Sequence, residues 1–295
     1  MSFYPRQSSS YLTGAPLCQR RSTWALGRTV MTRNHGGIPL LIPLLFPPLV
    51  VLQSQSPWIP PANPNADKIF NEIRQDFKDK KYQTALEKHV WFHKNALKFN
   101  QGMYGVRLSY AIAEWIELGR VYPPALSALQ KIRDDSCSEI KSGRGDFYLF
   151  NDISSINEYL HDEDKTALLF VFLKENNANL AKQVYPLAQS SLIQAKKYSI
   201  CNEYISPKQD IDMANHLLNV NLELAKKPEF GQQLKKFAED QYSTSISTLV
   251  AIMVVNNRTE EAGLISIDAL KHLDSPGFRK MLADAKQGVF PSSHY

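Results

Sequence analysis

The sequence is poor in what builds sheets, disulfide frameworks and the common catalytic loops. No Asn-Gly or Asp-Gly pair joins two alternating segments, so the strongest hairpin signal is missing. Three cysteines, Cys18, Cys137 and Cys201, are spread over 295 residues. Their spacing fits no CxxC or zinc-ribbon pattern. Cys137 and Cys201 could form one bridge in an oxidising compartment, or serve as two small apolar side chains inside helices. There is no GxSxG elbow, no GxxxxGK[ST] phosphate loop and no GxGxxG turn. No catalytic residue, metal site or cofactor is therefore assigned.

Acidic residues are absent from the first 56 positions, which carry Arg6, Arg20, Arg21, Arg28 and Arg33. The chain has 34 basic and 29 acidic side chains, so removing these five leaves 29 of each in the remainder. The net charge of +5 thus belongs to the leader, and the body has no basic excess with which to follow a phosphate backbone. Nucleic acid is not an expected partner.

What is present begins with an apolar run, residues 38–52, "IPLLIPLLFPPLVVL". Arg33 precedes it and "QSQSPWIPPANPN" follows. Positive, apolar, then small and polar is the layout of a secretory signal, with a cut after Ser54 and a natural start at Met31. Pro39, Pro43, Pro47 and Pro48 oppose the helix such a signal forms, and the run is short and broken for a membrane span. The leader therefore comprises residues 1–56. Residues 57–65 read as an extended proline-rich spacer, and residues 66–290 as one helical domain. Location follows the leader. The protein is exported, periplasmic or extracellular, if the leader is a signal; otherwise it is cytoplasmic or membrane-anchored, with membrane contact only through an uncleaved leader.

From Ala66 the pattern is helical. Ile69, Phe70, Ile73 and Phe77 form an i, i+1, i+4, i+8 stripe. Ala85, Leu86, His89, Val90, His93 and Leu97 continue it on the next helix. Pro123-Pro124 suits a first turn, where missing amide donors cost nothing. Ser206-Pro207 and Ser275-Pro276 each offer a capping hydroxyl. Ala167–Leu173 and Ile246–Val255 are apolar all round and are read as helices covered on several sides.

At Trp115 the chain reads "WIELGRVY". Trp115, Leu118, Gly119 and Tyr122 resemble the first-helix pattern of a tetratricopeptide repeat. Ala262 and Ala269, followed by Pro276, resemble the small positions and closing proline of its second helix. The match covers about a fifth of the chain, and Pro123-Pro124 begins a new helix where the family would continue the old one. The resemblance implies an all-α, irregular helical-hairpin superhelix with a concave face that binds a protein or peptide, without catalysis.

Candidate binding residues are His89, Trp91, His93, Arg107, Tyr110 and Trp115. Aromatics and arginine supply much of the energy of protein interfaces. Arg107 stands in the apolar run "GVRLSYAIAEW", where an unpaired guanidinium is costly, so either an acid pairs with it or it faces a carboxylate-binding cavity. Glu114 is two turns away, too far to pair directly. His89 and His93, at i and i+4, could both reach one metal, with further ligands from His161, His216, His272 or Asp152. Without HExxH, the plainer reading is a pair of partly buried imidazoles. "KSGRGDF" (Lys141–Phe147) reads as a helix-ending glycine, a turn and an N-capping Asp146. The expected function is partner binding. The alternatives are a metal-dependent or small-molecule-acting helical enzyme centred on His89 and His93, and a membrane-anchored structural scaffold.

Overall fold

In a computed structural model of the chain, residues 56–292 are described, apart from 228 and 230. The leader expectations (Met31, the apolar run 38–52, the cut after Ser54) and Cys18 lie outside the described residues. Two units separate between Pro57 and Trp58. The second is all-α: α1 (Ala66–Lys78), α2 (Tyr82–Phe99), a 3-10 turn (Gln101–Met103), α3 (Tyr104–Arg107), α4 (Tyr110–Val121), α5 (Pro123–Lys141), α6 (Phe147–Leu160), α7 (Glu163–Asn176), α8 (Ala178–Gln194), α9 (Tyr198–Tyr204), α10 (Pro207–Ala225), α11 (Gly231–Val255), α12 (Thr259–Ala269) and α13 (Pro276–Ala285). No strand occurs among the described residues. No described helix is long and apolar enough to cross a membrane.

Each helix buries the side chains that its spacing puts on one face. On α1, Ile69, Phe70 and Ile73 are buried, and Phe70 stacks on Phe92 of α2 at 5.0 Å. Phe77, the fourth member of that stripe, lies at the surface, its ring against Tyr82. Ile246–Val255 falls within α11 and Ala167–Leu173 within α7. Residues 249–253 of α11 are all buried, because α10, α12 and α13 all pack on that helix. Leu168 of α7 is largely exposed, so that helix is covered less completely than its apolar run suggests. Cys137 and Cys201 are free thiols in α5 and α9; burial raises both, Cys201 to about 11.

Consecutive helices pair: α1 with α2, α4 with α5, α7 with α8, α10 with α11. Four of the turns close in the same way. Lys80, His161, Lys196 and Asn257 take left-handed φ values of 55 to 63°. In each case the next amide reaches back five residues: Lys81 to Asp76, Asp162 to Asn157, Lys197 to Leu192 and Arg258 to Met253, at 2.8–2.9 Å. This is the Schellman closure, which satisfies carbonyls left open at a helix end. Gly143 (φ 82°) does the same after α5, with the Arg144 amide on the Glu139 carbonyl. Asp146 then caps α6 through the Leu149 amide at 2.9 Å, as expected for "KSGRGDF".

Proline places the starts of α5, α10 and α13. Ser275 accepts the Phe278 amide, as its position implies. Ser206 does not cap with its hydroxyl. Its own amide donates to the Asp210 carboxylate one turn on, at 2.9 Å.

Candidate functional site: a buried polar cluster

On α2, four residues bring the chain slightly past one full turn, so His89 and His93 share a face. That face is turned inward, and both imidazoles are buried. His89 stacks on Trp115 of α4 at 5.1 Å, and His93 meets the same indole edge-on at 6.2 Å. Trp115 is fixed in turn by its Nε1 donating to the Ala125 carbonyl at 2.8 Å. Gly119, one turn further along α4, lets α5 come close: a Cβ there would stand 2.9 Å from Leu126 Cβ. The tetratricopeptide-like residues of α4 are thus interior contacts between neighbouring helices. Leu118 is buried, and Tyr122 reaches Gln83 of α2 through its hydroxyl at 2.6 Å. Ala262 and Ala269 are fully buried on α12.

Arg107, the last residue of α3, finds an acid from far along the chain. Its Nη1 donates to Asp152 Oδ2 of α6 at 2.9 Å, and its Nη2 pairs with Asp152 Oδ1. Nη1 also reaches the His93 carbonyl at 3.2 Å and lies 3.4 Å from His93 Nε2. A guanidinium has only donors to give, so His93 Nε2 faces it as an acceptor on a neutral ring. Beside this pair, Asn151 donates to the Tyr104 hydroxyl at 2.6 Å.

The electrostatics agree. Burial drives His89 down to about 3, with His93 adding to it. Burial and then the Arg107 and Lys94 charges drive His93 down to about 3. Burial raises the Asp152 carboxyl, against the pull of Arg107. His89 Nδ1 and Arg107 Nε are buried without a hydrogen-bond partner among the described residues.

Four of the six candidate binding residues, His89, His93, Arg107 and Trp115, therefore come together, but inside the protein. Trp91 is two residues, more than half a turn, from each histidine, and packs instead between Trp58 and Phe99 at 6.1 and 5.7 Å. Tyr110 is half exposed and joins neither group. Of the suggested further ligands, only Asp152 reaches the histidines, 3.8 Å from His93 Nε2, and Arg107 already holds both of its oxygens. His161, His216 and His272 are exposed elsewhere. No three His, Cys, Asp or Glu side chains converge as a metal-ligating group among the described residues.

Two further polar knots were hidden in the sequence. Lys88 is buried with Asp76 at 2.7 Å and Glu72 at 2.9 Å, under the Trp58 ring. The Trp58 amide donates to Glu87 at 2.6 Å, so the proline-rich segment is pinned to α2 at its start. Arg133 of α5 is buried against Asp162 at 2.5 Å and Asp134 at 2.8 Å, with Asn157 and Thr166 completing the set. Asp162 is thus spent on Arg133 and Lys165 and gives the start of α7 no side-chain cap. The signal for the Asp152 site was present as Asn151-Asp152 between the buried Phe150 and Ile153. Lys88 gave none, since Glu87-Lys88 reads as an ordinary wet face.

Among the described residues, large apolar side chains stand out on α10 and α12. Met213, Leu217 and Val220 follow i, i+4, i+7 on α10, and Leu264 and Ile267 lie one turn apart on α12. Between these two helices runs an open groove of about 310 Å³, lined by Pro207, Lys208, Ile211, Asp212, Glu261, Leu264, Ile265 and Asp268. No protein-family model, curated protein or solved structure matches this chain.

Proposed function

We propose that this chain is a non-catalytic helical-hairpin scaffold of the tetratricopeptide kind that binds a protein or peptide segment. One observation carries the reading: the polar clusters are turned inward and engaged with each other, while α10 and α12 leave helically spaced apolar side chains uncovered. Apolar faces of that kind mark interaction surfaces more often than chemistry. The recurrent Schellman turns and the Trp115–Gly119 contact with α5 support the hairpin-array reading. Binding is placed on the α10–α12 region in preference to the residues around His89. The order of charge and apolarity in the leader supports export, which N-terminal sequencing of the protein from its source tests by locating the first residue.

Capture from source extract with the full chain as bait tests the binding reading. Met213→Glu with Leu217→Glu, and separately Leu264→Ser with Ile267→Ser, are expected to deplete a recovered partner about tenfold in at least one case. Equal recovery with both pairs sinks the reading.

A further inference from the structure

Resting on that reading, we propose that the groove between α10 and α12 takes a basic amphipathic helix, with apolar anchors one turn apart and Lys or Arg beside them. The floor is apolar. Ile265 is buried, Ile211 is half-buried, and Leu264 stands 69% exposed on the α12 rim, with Ile267, 62% exposed, beside it on the outer side of that helix. Two side chains of that size left in water, one turn apart, present the same spacing that a helix offers from the other side. A row between two helices is also the natural seat for a third, since its ridge of side chains drops into the gap.

The charge around the floor selects the partner. The lining carries one cation, Lys208, against Asp212, Glu261 and Asp268. Glu261 pairs with Arg258 at 2.7 Å and Asp268 with Lys271 at 3.0 Å, but neither of those cations lines the groove. Both are surface pairs three residues apart at the ends of α12, and exposed pairs of this kind are weak enough for an incoming cation to compete. Among the described residues Asp212 has no ion-pair partner, and neither has Glu260, which the helical spacing places on the same outer side of α12 as Ile267 and Leu264. An acidic helix would meet these carboxylates without compensation, so the groove discriminates by repulsion as well as by attraction.

The test uses the full chain and labelled synthetic probes of about 15 residues, long enough to form a helix on the surface. One alternates leucine and lysine at helical spacing, a second replaces lysine by glutamate, and a third replaces leucine by serine. Binding is read by fluorescence anisotropy at two salt concentrations. The leucine–lysine probe is expected to bind, and the other two to bind at least about tenfold more weakly. Leu264→Ser with Ile267→Ser, and separately Asp212→Lys with Asp268→Lys, are each expected to cost about tenfold in its affinity. These side chains are exposed, so the fold is retained, and an unchanged circular dichroism melt checks it. Equal binding of the lysine and glutamate probes, no binding of the lysine probe, or binding indifferent to both double variants overturns the proposal. Self-association that Leu264→Ser with Ile267→Ser abolishes makes a second copy the occupant and overturns it too. If the probes fail while capture still depends on Met213 and Leu217, only the groove assignment falls. If capture is also insensitive to both faces, the binding reading falls with it.

Discussion

The two ends of the body are held together by different physics. Up to α7, the interior contains Asp76, Lys88, His89, His93, Arg107, Arg133, Asn157 and Thr166 besides one serine, Ser155; beyond it, among the described residues, the buried polar side chains are Ser191, Ser243, Ser247 and Ser266. The apolar clusters divide in a similar way but overlap across α5 and α6. Two modest ones serve α1 to α6, and one large cluster runs from Ile140 to Ala285. A serine on a helix can return its hydroxyl to the carbonyl one turn back, as Ser243 does to Glu239 and Ser266 to Ala262. It needs no partner elsewhere. Arg107, Lys88 and Arg133 do need one, and each finds it outside its own helix, on α6, on α1 and at the entry to α7, so the N-terminal part fixes which helices meet through matched charges. The C-terminal part relies on shape and apolar area.

This contrast is open to test. The largest effect is expected at the buried ion pair. Arg107→Leu strands Asp152 without a counter-charge and should cost about 3–5 kcal/mol in urea unfolding followed by circular dichroism. Arg107→Leu combined with Asp152→Leu should recover much of that loss, because no charge is then left unpaired.

Next comes acid. His89 and His93 are held near 3 in the fold and sit near 6.5 when the chain is open. The unfolded chain therefore binds more protons as pH falls below about 6.5, so stability present above that pH is lost on acidification. Each histidine contributes a slope of about 1.4 kcal/mol per pH unit once the open chain is protonated. Asp152, raised in the fold, works the other way near the usual carboxylate range and flattens the lower end. Urea midpoints between pH 7 and 4.5 should fall steeply, and His89→Leu with His93→Leu should remove most of the slope. An equal slope in the double variant would place the acid-sensitive groups elsewhere.

Smaller again is the turn chemistry. Lys196 is exposed and left-handed, a backbone state that costs a side-chain-bearing residue about 1 kcal/mol. Lys196→Gly should raise the thermal midpoint by a gain of up to that size. The smallest effect belongs to the apolar end. Ser247 is fully buried and its hydroxyl has no partner among the described residues, so Ser247→Ala should be neutral or stabilising by less than about 1 kcal/mol in the same urea assay. A strong loss there would undo the division between the two ends.

Much of the helical framework could be read in advance because it depends on near neighbours. The stripe on α1, the proline starts and the glycine turn before Asp146 are local chemistry, and they stand where expected. The partner of Arg107 could not be read, since Asp152 lies 45 residues on and only the folded chain brings the two together. Trp115 and Tyr110 differ for the same reason: five positions apart on one helix, one is sealed by α5 and His89, and the other is half wet. The serine before Pro207 differs from the one before Pro276: Ser275 accepts an amide of its helix, whereas Ser206 contributes its own amide to Asp210.

The left-handed corners after α1, α6, α8 and α11 settle chain reversal within a handful of residues, whatever the length of the rod that arrives. Nothing in such a corner counts how many turns preceded it. Rods of 13 to 25 residues therefore end in one and the same device, and a lineage could lengthen or trim such a rod by whole turns while keeping its bend. A chain built this way needs no constant period, even though these four bends obey the same rule.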